Sequence, residues 1–202
     1  SSITFETSFN DPLAILEQIH DPSRSICFFE KQTEEFSVAC GDSIVKSNFN
    51  GSQRFQNAKV WSQNLLSRTR VAGDNKVEGS GPTLFINATF EKNSTNSKNP
   101  ALQVFLPRWQ IVRNGGSHLI VINSKIAPNA NPHQLAKHVR KSFNELNSLP
   151  DYRPEYTTPV KVKLGTPLEK SVYEQTVKKA LQFINKGDIS KIVLARKIIY
   201  HT

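Results

Sequence analysis

Hydrophobic positions along the chain follow the helical period in some segments and form short strand-like runs in others. Apolar residues recur at helical spacing in four segments, which predicts helices beginning at Asp11, Ser52, Asn131 and Thr166. Shorter runs rich in branched and aromatic residues predict strands between them, at 25–30, 36–39, 83–90, 101–106, 110–113 and 118–123. The pattern indicates an α/β (α+β) protein with a ladder of antiparallel strands.

Capping sequences mark the starts of three helices. Asp11-Pro12 and Asn131-Pro132 each place a capping side chain before a proline whose fixed φ suits the first helical position. Thr166-Pro167-Leu168-Glu169 is a capping box, and Gly187 is a typical residue after a helix C-terminus. The predicted apolar faces consist of Leu13, Leu16 and Ile19; Phe55, Ala58, Trp61 and Leu65; Leu135, Val139, Phe143, Leu146 and Leu149; and Tyr173, Val177, Ala180, Leu181 and Ile184.

Two hairpins are predicted from turn residues. Asn114-Gly115-Gly116 supplies residues that accept a positive φ, and a polar turn over 31–35 joins the first two strands. If that turn falls near Thr33 and Glu34, Cys27 and Cys40 lie opposite each other. Two cysteines are too few for a disulfide framework or a zinc site, so we expect reduced thiols. Pro107-Arg108-Trp109 is expected to break its strand.

The segment 151–165 is rich in proline and has little pattern, so it is interpreted as a linker or a crossing segment. Strands and helices alternate on both sides of it, without an internal repeat. This arrangement indicates one α/β unit, or part of one.

Composition and charge narrow the function classes. The chain has 202 residues, 37% of them hydrophobic, without an apolar run of membrane length or a secretion signal, so we expect it in the cytoplasm or a plastid stroma. Its net charge of +9 is spread along the chain and comes without a nucleic-acid-binding motif. His133 and His138 do not share a helix face and are expected to be surface residues. We therefore expect a small-molecule partner rather than a membrane or a nucleic acid.

The last stretch of the chain predicts a buried strand that begins at Lys191. Alternation would place Lys191, Val193, Ala195, Lys197 and Ile199 on one face and Ile192, Leu194, Arg196, Ile198 and Tyr200 on the other. Lys191 is then either a solvated strand end or a desolvated amine available as a general base. The residue pattern alone does not choose between these two roles.

The sequence Lys191-Ile192-Val193-Leu194-Ala195-Arg196, after a Gly-Asp-Ile-Ser turn and an amphipathic helix, resembles the catalytic-lysine strand of the chorismate-utilising enzymes. It is most similar to the isochorismate synthase branch. Leu106-Pro107-Arg108-Trp109 and Gly41-Asp42 also resemble that family. Its ammonia-using members usually carry glutamine where Lys191 stands, whereas salicylate synthases keep the lysine.

The resemblance implies an isomerase in which Lys191 is the catalytic base that activates a water attacking chorismate. It also implies a two-lobed fold of largely antiparallel β-sheets with helices packed outside. Residues 1–202 would be the N-terminal portion of a single chorismate-binding domain. A general-acid glutamate and the ligands of a Mg²⁺ ion would lie in a C-terminal half that this chain does not cover. We accordingly expect this chain alone to be inactive.

Two other functions stay open. One is a salicylate synthase or another chorismate-utilising enzyme, and the other is a non-catalytic binding module that retains the strand. By analogy the pathway served would be menaquinone or phylloquinone biosynthesis, and a monomer is favoured.

Overall fold

The computed structural model describes residues 1–8, 11–19, 25–73, 76–95, 100–150 and 168–195. The chain divides into two compact units, Ser1–Arg153 and Pro154–Thr202. The division falls within the segment 151–165 that the sequence marks as a linker or crossing segment, and each unit is described by itself.

Among its described residues, the first unit contains a seven-stranded sheet and three α-helices. In chain order its elements are β1 (Ser2–Glu6), α1 (Pro12–Gln18), β2 (Ile26–Lys31), β3 (Phe36–Phe49), α2 (Arg54–Ser67), β4 (Val71–Gly73), β5 (Phe85–Ala88), β6 (Leu102–Asn114), β7 (Ser117–Asn123) and α3 (Pro132–Asn147). The strand order is β2-β3-β6-β7-β1-β4, and β5 also pairs with β6. All pairings are antiparallel except the parallel β1–β4 pair. The predicted mixed α/β class with a mostly antiparallel sheet is confirmed.

The sheet is covered on both faces. Along β6, Trp109 and Ile111 belong to a core cluster with residues of α1 and α3, including Ile15 and Val139. Residues of the other parity point to the opposite face. There Val112 packs with Val38 and Leu119, and Leu102 and Val104 pack with Ala58 of α2. Because successive side chains of β6 point to opposite faces of the sheet, this one strand contributes to a hydrophobic core on each face.

The capping predictions for the first and third helices are confirmed. The Leu13 backbone N–H donates to Asp11 Oδ1 at 2.9 Å, and the His133 N–H donates to Asn131 Oδ1 at the same distance. The predicted apolar face of α1 is partly wrong, because Leu13 is 40% exposed while Ile15 is fully buried. In so short a helix, packing against the sheet decides which side chains are buried, and the local sequence pattern does not.

The second and third helices bury the predicted residues fully or partly, with one exception. Val139 and Leu146 of α3 are buried, with Leu135, Phe143 and Leu149 packed beside them. In α2, Ala58 is buried and Trp61 meets Phe49 edge to face with a centroid distance of 6.3 Å. Phe55 is more than half exposed, contrary to the predicted face.

The predicted strand break at Pro107-Arg108-Trp109 is wrong, because β6 runs continuously from Leu102 to Asn114. One edge of β6 pairs with β5 over 102–105 and with β7 over 109–114, so Pro107 lies between the two partners. On its other edge, the register with β3 shifts between Ser43 and Val45, next to the Ser43–Pro107 pair. The missing N–H of proline is tolerated where the ladder is interrupted.

The strands β1 and β4 and the full length of β3 were not predictable from the local sequence pattern. The strand β1 is short and buries the hydroxyl residues Ser2 and Thr4 rather than a run of apolar side chains. It lies between β7 and β4, its two neighbours in the sheet. The pairing of segments distant in the chain therefore decides these strands.

Gly41 makes room for the Trp109 indole, its cross-strand partner. A Cβ at this position would overlap the Trp109 ring, and Trp109 is packed in the helix-covered core. We expect Gly41→Ala to lower the free energy of unfolding by about 1–3 kcal/mol through overpacking. Chemical denaturation of both proteins measures the difference.

Gly116→Ala is the matched control for this prediction. A Cβ at Gly116 would meet nothing within 4 Å, and its φ is not positive. We expect its stability to stay within about 0.5 kcal/mol of the parent protein. Equal stability of the two alanine variants would contradict the account of Gly41.

Candidate functional site

The helix of the second unit, α4 (Leu168–Asn185), ends in a glycine-dependent cap directly before the predicted catalytic segment. The N–H of Asp188 donates to the Phe183 carbonyl at 3.1 Å, and that of Gly187 donates to the Ile184 carbonyl at 3.0 Å. Gly187 has φ +79°, and this bond pattern is a Schellman motif. The prediction that Gly187 ends the helix is confirmed.

The side chains of α4 follow the predicted face with one exception. Ala180 is buried and Tyr173, Val177 and Ile184 are half-buried, whereas Leu181 is about half exposed. Thr166 and Pro167 of the predicted capping box lie outside the described residues.

Lys191 lies four residues after Gly187 and is exposed. Residues 191–195 form neither helix nor strand, so the predicted strand is wrong for this part of the chain. The rest of that prediction, from Arg196 to Tyr200, lies outside the described residues. A strand forms only when a neighbouring segment supplies a hydrogen-bonding ladder, and no described segment pairs with 191–195.

The segment after Lys191 also leaves apolar side chains in solvent. Val193 is 81% exposed and Ile192 is 44% exposed. Branched residues of this kind normally lie in a half-buried or buried sheet. Lys191 therefore opens an apolar segment that lacks a partner among the described residues.

In the first unit, a cleft lies beside α3 at the point where β6 begins to pair with β7. It consists of two cavities of about 430 and 510 Å³, and Arg108 and His138 line both of them. Arg108 extends from β6, next to the buried Trp109, and His138 extends from α3. The predicted surface position of His133 and His138 is confirmed, since both are exposed.

The smaller cavity is positively charged. Lys125 follows β7 and joins Arg108 and His138 in its lining, and no Asp or Glu lines it. Within the part of the chain that the structure describes, none of these three side chains has an ion-pair or hydrogen-bond partner. Asn131 and Gln134, at the N-terminus of α3, complete the polar lining. The cavity has the chemistry to receive a carboxylate or another small anion.

The larger cavity is mixed in character. Trp109, Ile122, Leu146 and Leu149 give it an apolar wall, and Asp42 and Glu145 add acidic groups. Glu145 lies 3.7 Å from Lys141 on the same helix. The cleft as a whole can bind a small molecule that has an apolar part and an anionic part.

The structure does not provide a metal centre in the residues it describes. No group of three His, Cys, Asp or Glu side chains in 1–8, 11–19, 25–73, 76–95, 100–150 or 168–195 is arranged to hold a metal ion. Mg²⁺, which the resemblance implies, therefore finds no set of ligands among these residues. In the same ranges, no helix has both the length and the apolar composition needed to cross a bilayer.

The cleft was not predicted from the sequence. There, Arg108 belongs to an expected strand break, His138 is an expected surface residue, and Lys125 lies in no motif. The signal that could have found part of it is the hairpin turn at Gly115, which sets the register that pairs Trp109 with Ile122. That register brings Arg108 near the end of β7, where Lys125 follows.

The fold and the cleft describe a mixed α/β protein suited to binding a small molecule beside an antiparallel sheet. The family model described as chorismate binding enzyme matches residues 1–202, the whole chain. The chain therefore belongs to the family of chorismate-binding enzymes. None of the curated proteins matches it.

Proposed function

We propose that the protein is an isochorismate synthase, which adds water at ring carbon 2 of chorismate while the hydroxyl at carbon 4 departs. Membership of the chorismate-binding family supports the substrate. Lys191 is the reason for proposing the water-adding branch, because the ammonia-using chorismate-utilising enzymes usually have glutamine at this position. A lysine can accept a proton from water, whereas a glutamine cannot.

In this proposal Lys191 is the general base. Its amine takes a proton from the water as the water attacks the ring, and the amine must be neutral to do so. Desolvation favours the neutral form of an amine. The working enzyme would therefore order residues 191–195 so that Lys191 is shielded from bulk solvent.

Burial of the neighbouring side chains favours that ordering. Ile192 and Val193 are exposed in the described segment, and removing apolar surface from water stabilises by about 25 cal/mol per Å². The same apolar residues would then lower the local polarity around the amine. We propose that one ordering step buries this segment and prepares the base.

The remaining groups of the reaction are not assigned to described residues. By resemblance, Mg²⁺ would bind the ring carboxylate and a glutamate would protonate the departing hydroxyl. The net charge of +9 favours the approach of a dianion such as chorismate, and the effect weakens as salt is added.

Product analysis in labelled water tests this proposal. The protein at its natural length would be incubated with chorismate and Mg²⁺ in H₂¹⁸O, and the product analysed by mass spectrometry. We expect isochorismate with one ¹⁸O, located at carbon 2, because the new hydroxyl comes from the water that Lys191 activates. Isochorismate without the label would exclude water addition.

The salicylate synthase alternative rests on the same lysine, since salicylate synthases keep it. Such an enzyme would release salicylate and pyruvate, which the same analysis detects. Absence of any product would favour the third alternative, a binding module without catalysis. Each of the three functions therefore predicts a different product pattern.

A further inference from the structure

Cys27 and Cys40 face each other across neighbouring strands. They are directly paired in the antiparallel β2–β3 register, and both are free thiols. Directly opposite residues in antiparallel strands have Cα separations of about 4.5–5.5 Å. A disulfide spans Cα separations of about 4.4–6.8 Å, so the backbone already has a geometry that allows a bond between them.

The two sulfurs differ in access. Cys40 lies on β3, between β2 and β6, and is fully buried. Cys27 is half-buried on β2, which stands at the end of the strand order and has one neighbour in the described sheet. A small reagent can therefore reach the half-buried Cys27 more readily than the fully buried Cys40.

The two thiols also differ in acidity. The hydrogen bond from Cys40 lowers the pKa of Cys27 to about 7, against the opposing effect of burial. The same hydrogen bond raises the pKa of Cys40, and burial raises it further. Near neutral pH, Cys27 thus has a substantial thiolate fraction. Cys40 keeps its proton and donates a hydrogen bond to the Cys27 sulfur.

We propose that Cys27 and Cys40 form a reversible oxidation site, at which a hydroperoxide converts the two thiols into an intrachain disulfide. The Cys27 thiolate attacks the hydroperoxide, its O–O bond breaks, and the products are a Cys27 sulfenic acid and an alcohol or water. The Cys40 sulfur then attacks the Cys27 sulfur, forms the S–S bond and releases water. Two thiols are oxidised and one hydroperoxide is reduced.

The first step prepares the second. The hydrogen bond to Cys27 is the largest cause that raises the pKa of Cys40, burial is the second, and the negative charge on Cys27 is the third. A sulfenic acid is neutral, so its formation removes that charge and the hydrogen bond to the thiolate, while burial still raises the pKa. The Cys40 thiol therefore loses its proton more readily after its neighbour has been oxidised.

Peroxide treatment followed by peptide mapping tests the proposal. The folded protein at its natural length would be exposed to H₂O₂, alkylated and digested, with and without later reduction by dithiothreitol. We expect a peptide linked through Cys27 and Cys40 that reduction separates. The rate should rise with pH up to about 7 and then level off, because the thiolate of Cys27 is the attacking form.

Single substitutions separate the roles of the two cysteines. Cys40→Ser and Cys40→Ala should stop at a Cys27 sulfenic acid, which dimedone traps, and circular dichroism identifies which variant keeps the fold. Cys27→Ser should slow the oxidation of Cys40 at least about tenfold, because the remaining thiol is buried and protonated. Links formed mainly between chains, or an unchanged rate in Cys27→Ser, would overturn the proposal.

Discussion

Replacing Lys191 with glutamine in the protein at its natural length should reduce the rate of isochorismate formation by about 10²- to 10⁴-fold. The reason is that glutamine retains the length and polarity of the side chain but cannot accept the proton of the attacking water. Turnover number should fall more than chorismate affinity, because the base acts on the water and not on the substrate carboxylates. Steady-state kinetics with product detection measures both quantities.

Lys178→Gln is the matched control for this change. Lys178 is also an exposed lysine of the second unit, on the α4 helix. Its replacement removes the same charge without removing the proposed base, so we expect activity within about twofold of the parent enzyme. Full activity of Lys191→Gln, or equal losses in the two variants, would contradict the assignment of Lys191.

Replacing Gln110 with leucine should lower the free energy of unfolding by about 3 kcal/mol, because it removes the side-chain partner of the buried Gly81 carbonyl and of the half-buried Thr83 N–H. Asn123 Nδ2 keeps its second hydrogen bond, to the Pro107 carbonyl. Gln110 is fully buried on β6. Its Oε1 accepts hydrogen bonds from the Thr83 backbone N–H and from Asn123 Nδ2, both at 3.1 Å, and its Nε2 donates to the Gly81 carbonyl at 3.2 Å. Urea denaturation measures the loss.

Gln103→Leu is the control on the same strand. Gln103 donates to Asn48 Oδ1 at 2.9 Å in an exposed bond, so water can replace its partner. We expect a change within about 0.5 kcal/mol. If the two leucine variants lost equal stability, the buried network around Gln110 would not be a main stabilising feature.

Local signals predicted much of the fold. The caps at Asp11 and Asn131 and the helix end at Gly187 were predictable, since each depends on a few adjacent residues. The position of the first turn was enough to place Cys27 opposite Cys40, because one turn fixes the register of a hairpin.

Non-local pairing explains the errors. Local sequence predicts that Pro107 ends a strand. The strand continues because Pro107 lies between the parts of β6 that pair with β5 and with β7 on the same edge. The short strand β1 forms by pairing with β7 and β4, and β4 forms by pairing with β1. Residues 191–195 had the composition of a strand, but composition does not supply a partner.

The cleft was predictable only in part. The β6–β7 register places Arg108 near Lys125, and it follows from the turn at Gly115. The position of His138 in the cleft depends on how α3 packs on the sheet through Val139 and Leu146. A capping sequence locates the start of such a helix but not its direction in space.

The position of β1 between β7 and β4 has a consequence for biosynthesis. Its first residue, Ser2, pairs with Asn123, so β1 cannot complete its pairing until β7 has been translated. The hairpins β2–β3 and β6–β7 close over short loops and can assemble earlier. Until β1 joins, the edge of β7 stays open, and during this interval the nascent chain is most exposed to aggregation and to capture by chaperones.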